Sequence, residues 1–135
     1  MGSLTLAMNS GGGVQFTGRL TDLPPGPHGV HIHENGNCEP PDFASAGAHY
    51  NPSGKQHGEG NPNGPHAGDI ANLNVKANGM VDVAFIAQHV TLLEAPNSLL
   101  KAGGTSLVIH ANPDDFKTDP SGNSGERIAC GVITR

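Results

Sequence analysis

Six of the eight histidines in this 135-residue chain fall between residues 28 and 69, with one cysteine and a closing aspartate among them. Imidazole is the commonest metal-ligating side chain, so this clustering is the first fact to explain. In His31-Ile32-His33 the strand pleat would put both imidazoles on one face, with Val30 and Ile32 on the other. Residues two apart on a strand are roughly 6–7 Å apart at Cα, so both rings can converge on one ion. His110, at the end of another apolar run and just before a polar loop, offers a third imidazole. Nitrogen-rich ligation suits copper, and redox work needs a metal that changes valence, which zinc does not.

A second set follows at H-x7-H-x8-H-x2-D spacing: His49, His57, His66 and Asp69. Three imidazoles and a carboxylate complete a tetrahedral zinc shell, and a site with all four positions filled is structural. Alone, an H-x-H pair reads equally as two exposed or hydrogen-bonded histidines, and a His-rich loop reads as solvated. The two sets lie so close in sequence that the metal reading gains over both. Six histidines and one aspartate fall one group short of two independent four-ligand sites. The count closes if one histidine serves both metals, one through each ring nitrogen.

Short strands must hold these groups. Leu4, Leu6 and Met8 alternate with Ser3, Thr5 and Ala7, the period-2 pattern of a half-buried strand. A turn at 9–13 leads to a second alternation through Val14, Phe16, Gly18 and Leu20, which closes a hairpin. Residues 23–27 (LPPGP) read as a loop that cannot pair in a sheet. Residues 28–34 form a third strand leading into the histidine cluster, and 35–69 show little strand pattern. A loop of that length in a compact domain is usually functional. Strands resume through Leu73 and Val75, then Val81 to Phe85, with Asn78-Gly79 between them as a hairpin signal. Residues 105–110 and 127–134 are the last two strands, separated by a second polar loop at 113–126. Seven short strands without a long helix predict an antiparallel sandwich or barrel.

Composition fits a single domain over residues 1–135. There is no Trp, and four Phe with one Tyr leave the core to aliphatic residues. A net charge of −5 with no Lys/Arg cluster argues against nucleic acid. No apolar run approaches membrane-spanning length, and no secretory signal is evident at the start. Cys38 and Cys130 are either a disulfide or two buried thiols on composition alone.

The segments GPHGVHIHENGNC, SAGAHYNPSGKQHG, GPHAGDIAN, LVIHANPDD and GNSGERIACGVI closely resemble copper/zinc superoxide dismutase, in order and over nearly the whole chain. The resemblance implies an all-β, Greek-key antiparallel sandwich or flattened barrel of immunoglobulin-like type, with two long functional loops. It implies copper on His31, His33, His49 and His110, and zinc on His49, His57, His66 and Asp69. His49 is then the bridging imidazolate. Asp114 matches the aspartate that links a copper histidine, His31, to a zinc histidine, His57; Asp115 next door is the competing residue. Arg127 matches the arginine that attracts and orients the anion, where residues alone would read as a surface charge. Cys38 and Cys130 match the family disulfide. His28 matches a histidine outside the metal shells and is read as structural; His89 has no counterpart and is read as exposed.

The implied reaction is disproportionation of superoxide to oxygen and hydrogen peroxide, with His49 taking and returning a proton. Superoxide is the expected partner, and a homodimer is compatible with the resemblance. By the resemblance this sequence is expected to begin at the second family strand, so edges near residues 4–8 and 127–134 are expected to be unpaired unless a preceding segment, another chain or a rearranged N-terminus covers them. Residues 113–126 are shorter than in animal and plant members, with Lys117 and Asp119 remaining where those carry paired glutamates. With the CEPPDF segment from Cys38, that shape looks bacterial and favours an extracytoplasmic over a cytoplasmic place. Two other readings fit less well. A copper chaperone or copper-binding module would often lack a copper histidine or the arginine, and a zinc-stabilised structural domain has no use for four copper ligands.

Overall fold

The computed structural model of the chain describes residues 2–134. Its described part is all-β, with one 3₁₀ turn at Ala44–Ala46 and no helix long and apolar enough to cross a membrane. The strands are β1 (Gly2–Met8), β2 (Val14–Leu20), β3 (Gly26–His28), β4 (Val30–His33), β5 (Leu73–Val75), β6 (Val81–Ala87), β7 (Thr105–His110) and β8 (Arg127–Ile133). They form three antiparallel sheets, ordered β1-β2-β6, β3-β5 and β4-β7-β8. The sheets do not close into a barrel: β1 pairs only with β2, and β8 only with β7. The two open edges expected from the sequence flank a cleft of about 320 Å³ lined by Leu4, Leu6, Leu107 and Ile109 among others.

Alternation decides which side chains face inward. Val14, Phe16 and Leu20 of β2 and Val81, Val83 and Ala87 of β6 are buried, and their neighbours point to solvent. Phe16 stacks on Phe85 of the facing register at 4.8 Å between ring centroids. Val30 and Ile32 of β4 and Leu107 and Ile109 of β7 join the same core. With period-2 geometry, the other face of β4 and β7 is left to His31, His33, Val108 and His110. That face is the floor of the histidine cluster.

Three local expectations need correction. Residues 28–34 are two strands, because the chain turns at Gly29 from pairing with β5 to pairing with β7. Gly29 at the break donates to Asn112 O and accepts from His110 N, both at 2.8 Å. Gly26 and Pro27 do pair in a sheet, opposite Val75 and Asn74. A two-stranded edge sheet tolerates the missing N–H of Pro27. The Asn78-Gly79 turn forms, closed by Lys76 N–H to Met80 O at 2.9 Å, but its flanking strands part to different sheets.

The long 35–69 loop is ordered by backbone bonds to β4. Glu34 N–H donates to Ala48 O, Tyr50 N–H to Ile32 O and Ile32 N–H to Gly68 O, at 2.7–2.9 Å. Cys38 and Cys130 form a disulfide across 92 residues, tying this loop to β8. Closing a span of that length stabilises by about 4–5 kcal/mol on the chain-entropy account. The paired substitutions Cys38→Ser and Cys130→Ser are therefore expected to lower the unfolding free energy by that amount in non-reducing denaturant titrations. An unchanged midpoint would mean that β4 alone holds the loop.

Candidate metal centre

Strand β4 carries His31 and His33 on one face, and β7 ends with His110 after a register shift at Ile109/His110. The loop returns over that face and forms isolated bridges, His49 opposite His33 and Asp69 opposite His31. All six histidines and Asp69 are buried. His31, His33, His49 and His110 present one ring nitrogen each within 4.8 Å of one another. Around Asp69 the groups divide in two ways. One compact set is His31, His49, His57 and Asp69. His66 also converges there, with its Nδ1 3.3 Å from His49 Nδ1 and 3.4 Å from Asp69 Oδ1.

Hydrogen bonds fix which nitrogen each ring turns inward. His31 Nε2–H donates to Asp114 Oδ2 at 2.6 Å, His33 Nδ1–H to Gly47 O at 2.9 Å, and His110 Nδ1–H to Gly125 O at 3.3 Å. His57 Nε2 lies 2.8 and 2.9 Å from the two oxygens of Asp114. The opposite nitrogens, His31 Nδ1, His33 Nε2, His57 Nδ1 and His110 Nε2, are buried without a hydrogen-bond partner, as is His49 Nε2. A buried polar atom left unpaired costs free energy comparable to a lost hydrogen bond. Five such nitrogens on neighbouring rings fit metal ions as their missing partners, and one of them, His57 Nδ1, also lies 3.1 Å from Asp69 Oδ1. His49 belongs to both sets, with Nδ1 3.1 Å from Asp69 Oδ1 and Nε2 buried without a partner.

The chain matches the copper/zinc superoxide dismutase (SODC) family over residues 1–133. It belongs to that family. It is 52% identical over 123 residues to superoxide dismutase [Cu-Zn] 1 of Aquifex aeolicus, covering 90% of this chain and 73% of that one. Superoxide dismutase [Cu-Zn] 2 of the same organism is 56% identical over 113 residues, 82% of this chain and 66% of the relative. The chain thus spans about two thirds to three quarters of the length of these curated relatives. A crystal structure of a double mutant of a SOD-like protein from Bacillus subtilis superposes with a TM-score of 0.96 at 43% identity, over 99% of this chain and 89% of that chain.

The other sequence-predicted residues also find places. Asp114, not Asp115, is buried and touches both His31 and His57; Asp115 caps the turn at Lys117 and Thr118. Arg127 donates to Phe43 O at 2.8 Å and Gly47 O at 2.7 Å, and lines a cleft with His33, His49, His66 and His110. His28 is buried with its ring nitrogens 2.8 Å from His110 O and 2.6 Å from Pro24 O, outside the cluster. His89 is exposed. Sequence reasoning missed Gly122, whose Cα faces the contact between Asp114 and His57. Its only sequence signal is its place in a Gly/Ser-rich turn beside the predicted loop carboxylates.

Charge separates the two sides of this histidine cluster. Burial pushes His33 down to about 2, and His49 and His110 each down to about 4, so these rings are neutral near pH 7. Burial would lower His57 too, but hydrogen bonds to Asp114 and Asp69 outweigh it and raise it to about 9. For Asp69, burial opposes ionisation, yet hydrogen bonds from His49, His57, His66 and Gly58 N–H hold the carboxyl far below its usual range. In the metal-free fold His57 is therefore an imidazolium whose contribution to stability is full below 6.5 and is lost as pH rises through about 9. A metal on Nδ1 must displace its proton. Near pH 7.5, zinc binding is expected to release about one proton from His57 per ion; His33 and His110, already neutral, should contribute none on copper binding, whereas a His49 that ligates both metals gives up its single ring proton when the second ion binds. Calorimetry in buffers of different ionisation heat measures this; zinc uptake with no proton release would refute the His57 assignment.

Proposed function

We propose that the chain disproportionates superoxide, two anions and two protons giving one oxygen and one hydrogen peroxide. The observation that supports this most is the set of five orphaned imidazole nitrogens split across a shared His49. His31, His33, His49 and His110 would hold copper; His49, His57, His66 and Asp69 would hold zinc. Bound copper would supply one-electron chemistry in both directions, and bound zinc would lock the loop ligands. Among the sets around Asp69 we take the one with His66, because the one unpartnered nitrogen of His31, Nδ1, is already counted in the copper set while its Nε2 is held by Asp114.

The chain's own groups do the rest. Asp114 accepts from His31 and contacts His57, so one carboxylate fixes the orientation of a ring on each side. His49 lines the cleft, and its Nε2 is the atom at which a proton would be held and handed to the departing product. Arg127 is half-buried, with two of its nitrogens anchored on carbonyls, so its guanidinium is aimed rather than free. Burial lowers the affinity of that group for its proton, and Asp42 raises it. On a protein of net charge −5, such a local positive potential can raise anion on-rates by roughly tenfold to a thousandfold. The Cys38–Cys130 disulfide supports an extracytoplasmic place, since such bonds persist in oxidising compartments.

Superoxide turnover of the purified chain, loaded with copper and zinc, tests the proposal. Fast turnover that disappears when copper alone is removed is the expected result. Full occupancy of both metals without turnover would overturn it.

A further inference from the structure

The 113–126 loop brings a second carboxylate to the zinc half besides Asp114. Asp119 Oδ1 accepts the backbone N–H of His57 at 2.8 Å, and the same oxygen lies 3.8 Å from His66 Nε2. His66 turns Nδ1 inward, toward His49 and Asp69. A neutral imidazole that ligates through Nδ1 must carry its proton on Nε2, and that nitrogen faces Asp119. Asp119 therefore reaches two of the three loop histidines, His57 through the backbone and His66 through the outer edge of the ring. A neutral latch joins the same two loops nearby, Gly60 N–H to Phe116 O at 2.9 Å.

We propose that Asp119 is a positioning residue for the zinc half of the centre, tying zinc retention to the order of the 113–126 loop. The inference rests on the zinc assignment made above. Partners of a ligating histidine's outer nitrogen typically carry tenfold to a hundredfold in metal affinity. The Asp119 side chain is 54% exposed, and solvent screening puts its share at the low end of that range. The copper half should feel little of it, because among the described residues Asp119 reaches His57 and His66 and hydrogen-bonds none of His31, His33, His49 and His110.

Two variants separate the parts. Asp119→Asn keeps an oxygen that can accept from His57 N–H but removes the charge facing His66; Asp119→Ala removes both. Zinc dissociation from the loaded full-length chain would be read by competition with a chromogenic chelator, alongside copper retention and the melting midpoint of metal-free protein. Asp119→Ala is expected to weaken zinc about tenfold and Asp119→Asn less, with copper affinity within about twofold of the parent. The metal-free midpoint of Asp119→Asn should stay unchanged, which a general loosening of the loop would not allow. Zinc affinity unaltered in both variants, or copper lost in step with zinc, would overturn the inference. His66→Ala is the reference: if it too retains zinc, the zinc assignment itself fails, whereas zinc loss in His66→Ala alone condemns only the role of Asp119.

Discussion

With His110 replaced by alanine, superoxide turnover is expected to fall to the level of copper-free protein while zinc stays bound. His110 Nε2 is one of four nitrogens in the proposed copper set, and no ligand atom of the zinc set belongs to it. Its ring lies 4.7 Å from His31, 5.6 Å from His33 and 6.1 Å from His49 between centroids. Truncation thus opens the copper side only. The strand should survive it, because the His110 backbone stays paired with Gly29 and Arg127. Losing a buried ring costs some packing, so the melting midpoint of the metal-free variant must be read beside turnover. Metal analysis would show zinc near one per chain and copper greatly reduced. Unchanged turnover, or zinc lost together with copper, would remove His110 from the copper set.

The convergence of the side chains that this experiment relies on was largely legible in the sequence. His31 and His33 could be placed on one face of a strand by period alone, and β4 does place them there, with Val30 and Ile32 in the core. The spacing of His49, His57, His66 and Asp69 named the loop groups, and the shortfall of one ligand pointed to a shared histidine. Geometry then sharpened each of these. Which nitrogen each ring turns inward depends on Gly47, Gly125 and Asp114, partners up to 83 residues away. No local pattern carries such contacts.

The same limit explains what was misread. Gly29 breaks the third strand because its N–H and carbonyl are claimed by Asn112 and His110, on a segment distant in sequence. Pro27 reads as a sheet-breaker until its strand proves to be at an edge. Arg127 reads as an ordinary charge at a strand start; its aim comes from carbonyls of Phe43 and Gly47, on the loop that the disulfide ties down. The 35–69 loop shows little strand pattern in the sequence. Much of its order comes from β4, whose free edge it pairs.

Gly122→Ala is expected to weaken both metals at once, although Gly122 is not itself a ligand. Gly122 sits at φ +68°, a left-handed conformation that side chains disfavour, and a Cβ there would overlap the Asp114 carboxylate and the Nε2 side of His57. Backbone strain of that kind alone costs only about 1 kcal/mol. The overlap is the larger matter, because the atoms in the way are buried and held. Asp114 is bonded to His31, to Asn72 through its N–H, and to the Phe116 N–H, so its carboxylate has nowhere to retreat without releasing a ring. Displacing it removes the partner that sets His31 on one side and His57 on the other. Outer partners of this type carry roughly tenfold to a hundredfold in affinity each, so both copper and zinc retention should drop by that order. Gly103→Ala supplies the control: its φ of +84° imposes the same backbone strain, but nothing lies within 4 Å of the added methyl. It should lose about 1 kcal/mol of stability and keep both metals. If the two variants behave alike, backbone strain alone accounts for Gly122, and the Asp114 bridge is not what holds the two halves in register.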